Sequence, residues 1–158
     1  RGALIAETMT ELPIGKAVTV REGHRVAILA FGTVLPAALE AGAALDATVV
    51  DMRWVKPLDE ALVLALAGKH DLLVTVEDNA IAGGAGSGVH ELLAARRVDT
   101  PCLHLGIPDA FVEHGSQADQ YAAAGLDAAG IVTAVESRLI DVELAHGEVR
   151  ANAVPGVG

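Results

Sequence analysis

Cysteine is almost absent: Cys102 is the sole one in 158 residues. That excludes an intramolecular disulfide and a multi-cysteine metal centre, and it points to a reducing cytosol. Aromatic residues are scarce as well, with two Phe, one Trp and one Tyr, so any core must be built from small aliphatic side chains. Long apolar runs are missing. The longest, Ala61 to Ala67, falls far short of the roughly 20 residues a membrane-spanning helix needs, and no basic-then-apolar signal pattern opens the chain; a soluble protein is expected. Positive charge is short, 11 Lys and Arg against 21 Asp and Glu for a net charge of -10, which argues against a nucleic-acid groove or an anionic membrane as partner. The histidines at 24, 70, 90, 104, 114 and 146 show no HExxH or other compact ligand spacing, so no metal site is expected. Most read as surface or capping residues.

What is present is 52% hydrophobic residues and 17 glycines, a length suited to one domain with one core. Ala, Val, Leu and Ile dominate, and they fall in continuous runs of the kind found in parallel strands buried on both faces. Val26 to Phe31 reads as such a strand, stopped by Gly32 and Thr33, with Thr33 as helix cap and Pro36 in the first turn of a helix to about Leu45. Thr48 to Trp54 is β-branched at its start and reads as a second strand, ended by Pro57; Asp59 caps a helix ending near Gly68. Asp71 to Glu77 is a third strand, Val89 to Arg97 a helix, and Pro101 to Leu105 a fourth strand. Val18 to Arg21 is expected as an extra edge strand, and Asp127 as the cap of a last helix of about a dozen residues. Alternating strands and helices imply right-handed βαβ units. The expected fold is therefore α/β: a three-layer α/β/α sandwich around a mostly parallel sheet of about five strands. Beyond about Ala145 the sequence loses its periodicity and reads as a mobile tail.

Ligands of open parallel sheets approach the carboxyl ends of the strands. There the sequence places Glu77, Asp78 and Asn79, followed by Gly83, Gly84, Ala85 and Gly86. The glycines read as tight helix–sheet packing, with an anion at the helix N-terminus as the alternative; neither a complete GxGxxG nor a P-loop Lys-Ser/Thr pair is present. Glu113 and His114 resemble an acid-oriented imidazole, yet adjacent residues do not easily face one site, and no motif places a Ser or Cys nucleophile. Arg53 and Lys56 read as cations paired to nearby carboxylates, with an anionic ligand as the alternative, and Cys102 reads as a small core residue. No complete catalytic set is present, and no catalytic residue is assigned within this chain.

Six segments in order, VAILAFG (26–32), VDMRWVKPLD (50–59), VEDNAIAGGAGSGV (76–89), LGIPD (105–109), VEHG (112–115) and GLDAAGI (125–131), closely resemble the carboxyl-terminal domain of the 1-deoxy-D-xylulose-5-phosphate synthase family, a transketolase-like group. Asp78 stands where a second Glu is frequent and Gly88 where Ala is frequent, small departures confined to one loop. The resemblance implies an enzyme of the bacterial cytoplasm that joins pyruvate to D-glyceraldehyde 3-phosphate with loss of carbon dioxide, opening isoprenoid precursor synthesis. It further implies thiamine diphosphate and magnesium, held by domains that precede this one, with neither bound by this chain alone, and a homodimer.

On that resemblance, residues 1–16 are a linker from a pyrimidine-binding domain, 17–141 the transketolase C-terminal-like domain and 142–158 a flexible tail. Arg1 with Gly2 resembles the end of a YPRG motif, which implies a contact between Arg1 and the substrate phosphate; a planar guanidinium suits that role. Glu77, Asp78, Asn79, Gly83, Gly84, Glu113 and His114 are implied at the interdomain rim of the active site, and Gly84→Val is expected to hurt assembly more than folding. Two other readings stay open: a stand-alone binding or regulatory module, and the equivalent domain of another thiamine diphosphate enzyme such as a 2-oxoacid dehydrogenase beta subunit.

Overall fold

The computed structural model describes the backbone of residues 11–152 and the side chains of 11–144. Its elements run β1 (Val18–Arg21), β2 (Val26–Phe31), a 3₁₀ turn (Gly32–Val34), α1 (Leu35–Leu45), β3 (Thr48–Asp51), α2 (Glu60–Ala67), β4 (Leu72–Ala80), α3 (Ala85–Ala95), β5 (Cys102–Ile107), α4 (Gln117–Ala123) and α5 (Ala128–Asn152). The five strands form one sheet in the order β1-β3-β2-β4-β5. β2 pairs in parallel with β3 and with β4, β4 pairs in parallel with β5, and β1 lies antiparallel on the outer edge of β3. The α/β/α expectation is met.

Alternation along the strands divides the interior in two, because successive side chains point to opposite faces. Ile28, Ala30, Val74 and Val76 pack toward α1 and α5, whereas Ala27, Leu29, Phe31 and Leu73 pack toward α2 and α3. All six residues of β2 are buried, which is why the strand reads as an unbroken apolar run. The chain steps from β2 to β3 on one side, then returns past β2 to β4 on the other, so α1 and α3 leave the sheet on opposite faces. A crevice opens between the carboxyl ends of β2 and β4, the usual ligand position in such sheets.

Several local expectations are corrected. Val34, not Thr33, occupies the N-cap of α1; the Thr33 hydroxyl is drawn instead toward Asp78, at 2.5 Å. β4 continues three residues past Glu77 to Ala80, which pairs with Ile107 across an irregularity in the register, so the acidic stretch is strand rather than loop. α3 starts at Ala85 rather than Val89 and takes up the second half of the glycine run. α4 had no counterpart in the sequence reading. α5 runs 25 residues, about twice the expected length, because the expected tail from residue 142 continues the same helix to Asn152; residues 153–158 lie outside the described residues. Two caps are where they were expected: the Asp59 carboxylate accepts from Leu62 N–H at 3.3 Å, and Asp127 from Gly130 N–H at 2.8 Å. No described helix is long and apolar enough to cross a membrane.

Candidate functional site at the carboxyl edge of the sheet

A cleft of about 450 Å³ lies at the carboxyl ends of β2, β3 and β4 and is lined by Gly32, Arg53, Lys56, Asp78, Asn79 and the Gly83–Gly84 turn, among others. Alternation along β4 separates its two carboxylates. Glu77 turns toward α3 and Asp78 toward α1 and α4.

Glu77 is 3% exposed, and its two oxygens accept from Ala85 N–H at 2.7 Å and Gly86 N–H at 2.9 Å. These N–H groups open α3, where the helix dipole favours a negative charge and backbone donors lack helical partners. Glu77 is thus a non-local N-cap, reaching from a strand eight residues upstream. Gly84 is the N-cap residue itself, and a side chain there would run into the Glu77 carboxylate and the Ala80 carbonyl.

Asp78 faces the opposite side. Its Oδ2 accepts from Thr33 Oγ1 and, at 3.1 Å, from the Tyr121 hydroxyl, while Thr33 Oγ1 and Tyr121 Oη lie 2.7 Å apart. Gln117 Nε2 donates to the same Tyr121 hydroxyl at 3.1 Å. The network ties the turn after β2, the end of β4 and helix α4 together. Gly32 has a φ of +83°, which favours glycine, and a Cβ there would lie 3.1 Å from Asp78 Oδ1, a close approach that the carboxylate would have to ease. Arg53 pairs with Asp51 at 3.2 Å, as expected of a cation held by a neighbour. Lys56 makes no ion pair among the described residues.

The remaining predicted residues divide. Asn79, Gly83 and Gly84 line the same cleft as Glu77 and Asp78. Glu113 and His114 do not: both are exposed in the loop after β5, and no hydrogen bond joins their side chains to each other or to the cleft among the described residues. Arg1 lies outside the described residues. Thr33 and Tyr121 were missed, although Ser116 and Asp119, which form a full capping box at the start of α4, were a readable signal for the helix that carries Tyr121.

The alternative of an anion held at the start of α3 does not survive this geometry, since the Ala85 and Gly86 N–H groups already hold a carboxylate. The same two backbone donors are closed to a phosphate group, and the β4 wall of the cleft carries the Glu77 and Asp78 carboxylates, with Lys56 the lining cation that has no ion pair among the described residues. Among the described residues no three His, Cys, Asp or Glu side chains are grouped to hold a metal ion.

On the far side of α3, His104 Nδ1 lies 2.7 Å from Thr75 Oγ1, and its ring meets His90 edge-on at 5.7 Å. Burial pushes the His104 pKa below its ordinary 6.5, His90 pushes in the same direction, and Glu77 opposes them. Cys102 Sγ is 4.0 Å from that same nitrogen, but burial pushes the thiol up to about 12, so it is no thiolate nucleophile at neutral pH. Because His104 resists protonation in the fold but not in the unfolded chain, the unfolded state binds more protons below about pH 6.5 and stability falls as the pH drops through that value. The urea midpoint is therefore expected to fall between about pH 7.5 and about pH 5.5, and to fall less in His104→Gln than in the parent. Equal falls in both proteins would assign the effect to other groups.

Comparison with known proteins agrees with this architecture. A match to the family described as transketolase, C-terminal domain, spans residues 15–131. The chain is 58% identical over 146 residues to the 1-deoxy-D-xylulose-5-phosphate synthase of Thioalkalivibrio sulfidiphilus, covering 92% of the chain and 23% of that protein. It is 61% identical over 137 residues to the synthase of the same name from Stutzerimonas stutzeri, covering 87% and 22%. The chain thus spans less than a quarter of the length of these curated relatives. Among solved structures, a split-gene transketolase described as an inactive beta4 tetramer superposes with a TM-score of 0.77 at 30% identity, over 86% of this chain and 45% of that one. Transketolase from Campylobacter jejuni shares the fold alone, with a TM-score of 0.58 at 20% identity over 78% of this chain and 18% of that one. Strand order, the cleft at the carboxyl edge and the sequence match together place the chain in one group: it belongs to the transketolase C-terminal domain family.

Proposed function

We propose that this chain is the carboxyl-terminal portion of a 1-deoxy-D-xylulose-5-phosphate synthase, a transferase that condenses pyruvate with D-glyceraldehyde 3-phosphate and releases carbon dioxide. The observation that carries the reading is the 58–61% identity to synthases of that name over about nine-tenths of the chain. In this reading thiamine diphosphate and magnesium are held by the rest of the enzyme, and no chemical step is assigned to a residue of this chain. Its role is architectural: residues 1–16 lead in from the preceding domain, and the carboxyl edge of the sheet, with Asp78, Asn79, Gly83 and Gly84, packs against other domains or a second subunit at the rim of the active site. Exposed Glu113 and His114 belong to the same outward surface. The bacterial cytoplasm is the proposed compartment.

The test is direct. The product of the full reading frame, supplied with thiamine diphosphate and magnesium, is expected to form deoxyxylulose phosphate from the two substrates, whereas the 158-residue chain alone forms none. A full-length product without this activity would sink the reading. For Arg1, proposed at the substrate phosphate, Arg1→Ala in the full enzyme is expected to raise KM for glyceraldehyde 3-phosphate and leave KM for pyruvate unchanged, because only the aldehyde carries a phosphate. An equal rise for both would mark a structural salt bridge instead.

A further inference from the structure

The loop between β5 and α4 carries a side chain that the fold leaves entirely outside. Phe111 is fully exposed, at 107% of its reference area, and its neighbour Val112 is 41% exposed, whereas the other phenylalanine, Phe31, is 5% exposed. The exposure does not come from a slack loop. Ala110 N–H donates to the Pro108 carbonyl at 2.7 Å, Gln120 Nε2 donates to the Glu113 carbonyl at 3.2 Å, and the capping box at Ser116 fixes the start of α4. A bulky apolar ring is held out on backbone tied at both flanks, an arrangement that lowers the ordering cost of binding. Val55 after β3 and Ile81 after β4 are also exposed, at 52% and 37%, so the end of the sheet where the cleft opens presents apolar groups behind three strands.

Charge selects the occupant. Between residues 108 and 119 the loop carries Asp109, Glu113 and Asp119 and no Lys or Arg. Two copies meeting through this face would set these carboxylates against each other, which disfavours self-association. A complementary surface has an apolar pocket rimmed by Arg and Lys. The named relatives supply a place for one, since 77–78% of their length lies outside the matched segment.

We propose that the Phe111 loop is a docking element, with Phe111 as the anchor inserted into a basic-rimmed apolar pocket on the remaining part of the synthase polypeptide. The proposal rests on the synthase reading above.

The experiment uses the full-length synthase carrying either Phe111→Cys or, as an exposed reference at the opposite end of the sheet, Lys69→Cys. Maleimide labelling is followed at each position by peptide mass spectrometry. Labelling at position 111 is expected to be at least about 10-fold slower, because anchor residues sit in the desolvated centre of an interface. Equal rates would overturn the proposal. So would a rate at 111 that rises to the reference value when the enzyme is diluted to monomers, since a second copy would then be the cover. Hydroxyl-radical footprinting of the unsubstituted enzyme reads the same quantity without a variant: Phe111 is expected to be protected relative to exposed His24, and equal oxidation would overturn the proposal. Turnover is measured in the same preparations. An active enzyme with fast labelling at 111 sinks the docking element alone, and an inactive full-length enzyme sinks the synthase reading whatever the labelling shows.

Discussion

Glu77→Ala is expected to lower the melting temperature of this domain by roughly 10 °C, the largest effect of any single substitution at the cleft. The carboxylate is buried and satisfies two backbone donors at the start of α3. Removing it strands both N–H groups away from water, at about 1–3 kcal/mol each, and withdraws the negative charge that the helix terminus favours. A loss of about 3–5 kcal/mol is roughly a fifth or more of the stability of a typical domain, and about 2–4 °C follows from each kcal/mol at this chain length. Glu77→Gln separates charge from shape. Its amide oxygen can serve one N–H, but its amide nitrogen then points a donor at the other, so it is expected to recover less than half of the loss. Calorimetry on the two variants checks this. A melting temperature for Glu77→Ala within about 2 °C of the parent would mean that water reaches the start of α3 and the clamp is unimportant.

Gly84→Val is the second large effect, and the structure moves its site of action. The sequence reading put the damage in assembly, on the view that the glycines give room for a partner. In the fold the first atom of any side chain at 84 meets the Glu77 carboxylate and the Ala80 carbonyl. Neither can retreat, one being fixed by two hydrogen bonds and the other by the end of a strand. Overpacking at a rigid site costs about 1–3 kcal/mol, and here valine also loosens the clamp on α3, so a loss of about 3 kcal/mol is expected. The decisive comparison is the isolated chain against the full enzyme. An unchanged melting temperature for the isolated chain, with association lost, would restore the assembly account.

Most of the fold was legible because the central strands are buried on both faces and read as unbroken apolar runs, VAILAF above all. The ends of elements were harder. The third strand reads as ending at Glu77, where the apolar run stops, yet β4 continues through Asp78 and Asn79 to Ala80, and each carboxylate finds donors on its own face of the sheet. Thr33 looked like a cap because it precedes a proline-led helix, and only the distant Asp78 and Tyr121 reveal its other use. α4 is seven residues long with no buried position, so it lacks the periodicity by which helices are read. The site suffered from the same blindness to distance. Nothing in the order of residues says that Ala85 and Gly86 fold back onto Glu77, and without that contact the glycine run keeps its resemblance to a phosphate cradle.

The pairing of α5 with α1 sets a schedule for the nascent chain. Leu126, Ile131 and Val135 complete the cluster that covers Ile28, Ala30, Val74 and Val76, and Arg25 reaches Glu143 across 118 positions of sequence at 2.8 Å. On a ribosome the five strands and helices α1 to α3 emerge first, and the α1 side of the sheet stays only partly covered until α5 leaves the exit tunnel. At about 5–20 residues per second, the roughly 35 residues from the end of β5 to Val142 leave that apolar side partly open for a few seconds. During that interval the half-made domain is a natural client for chaperones, and synonymous codons that slow translation between residues 108 and 142 are expected to raise the fraction that aggregates.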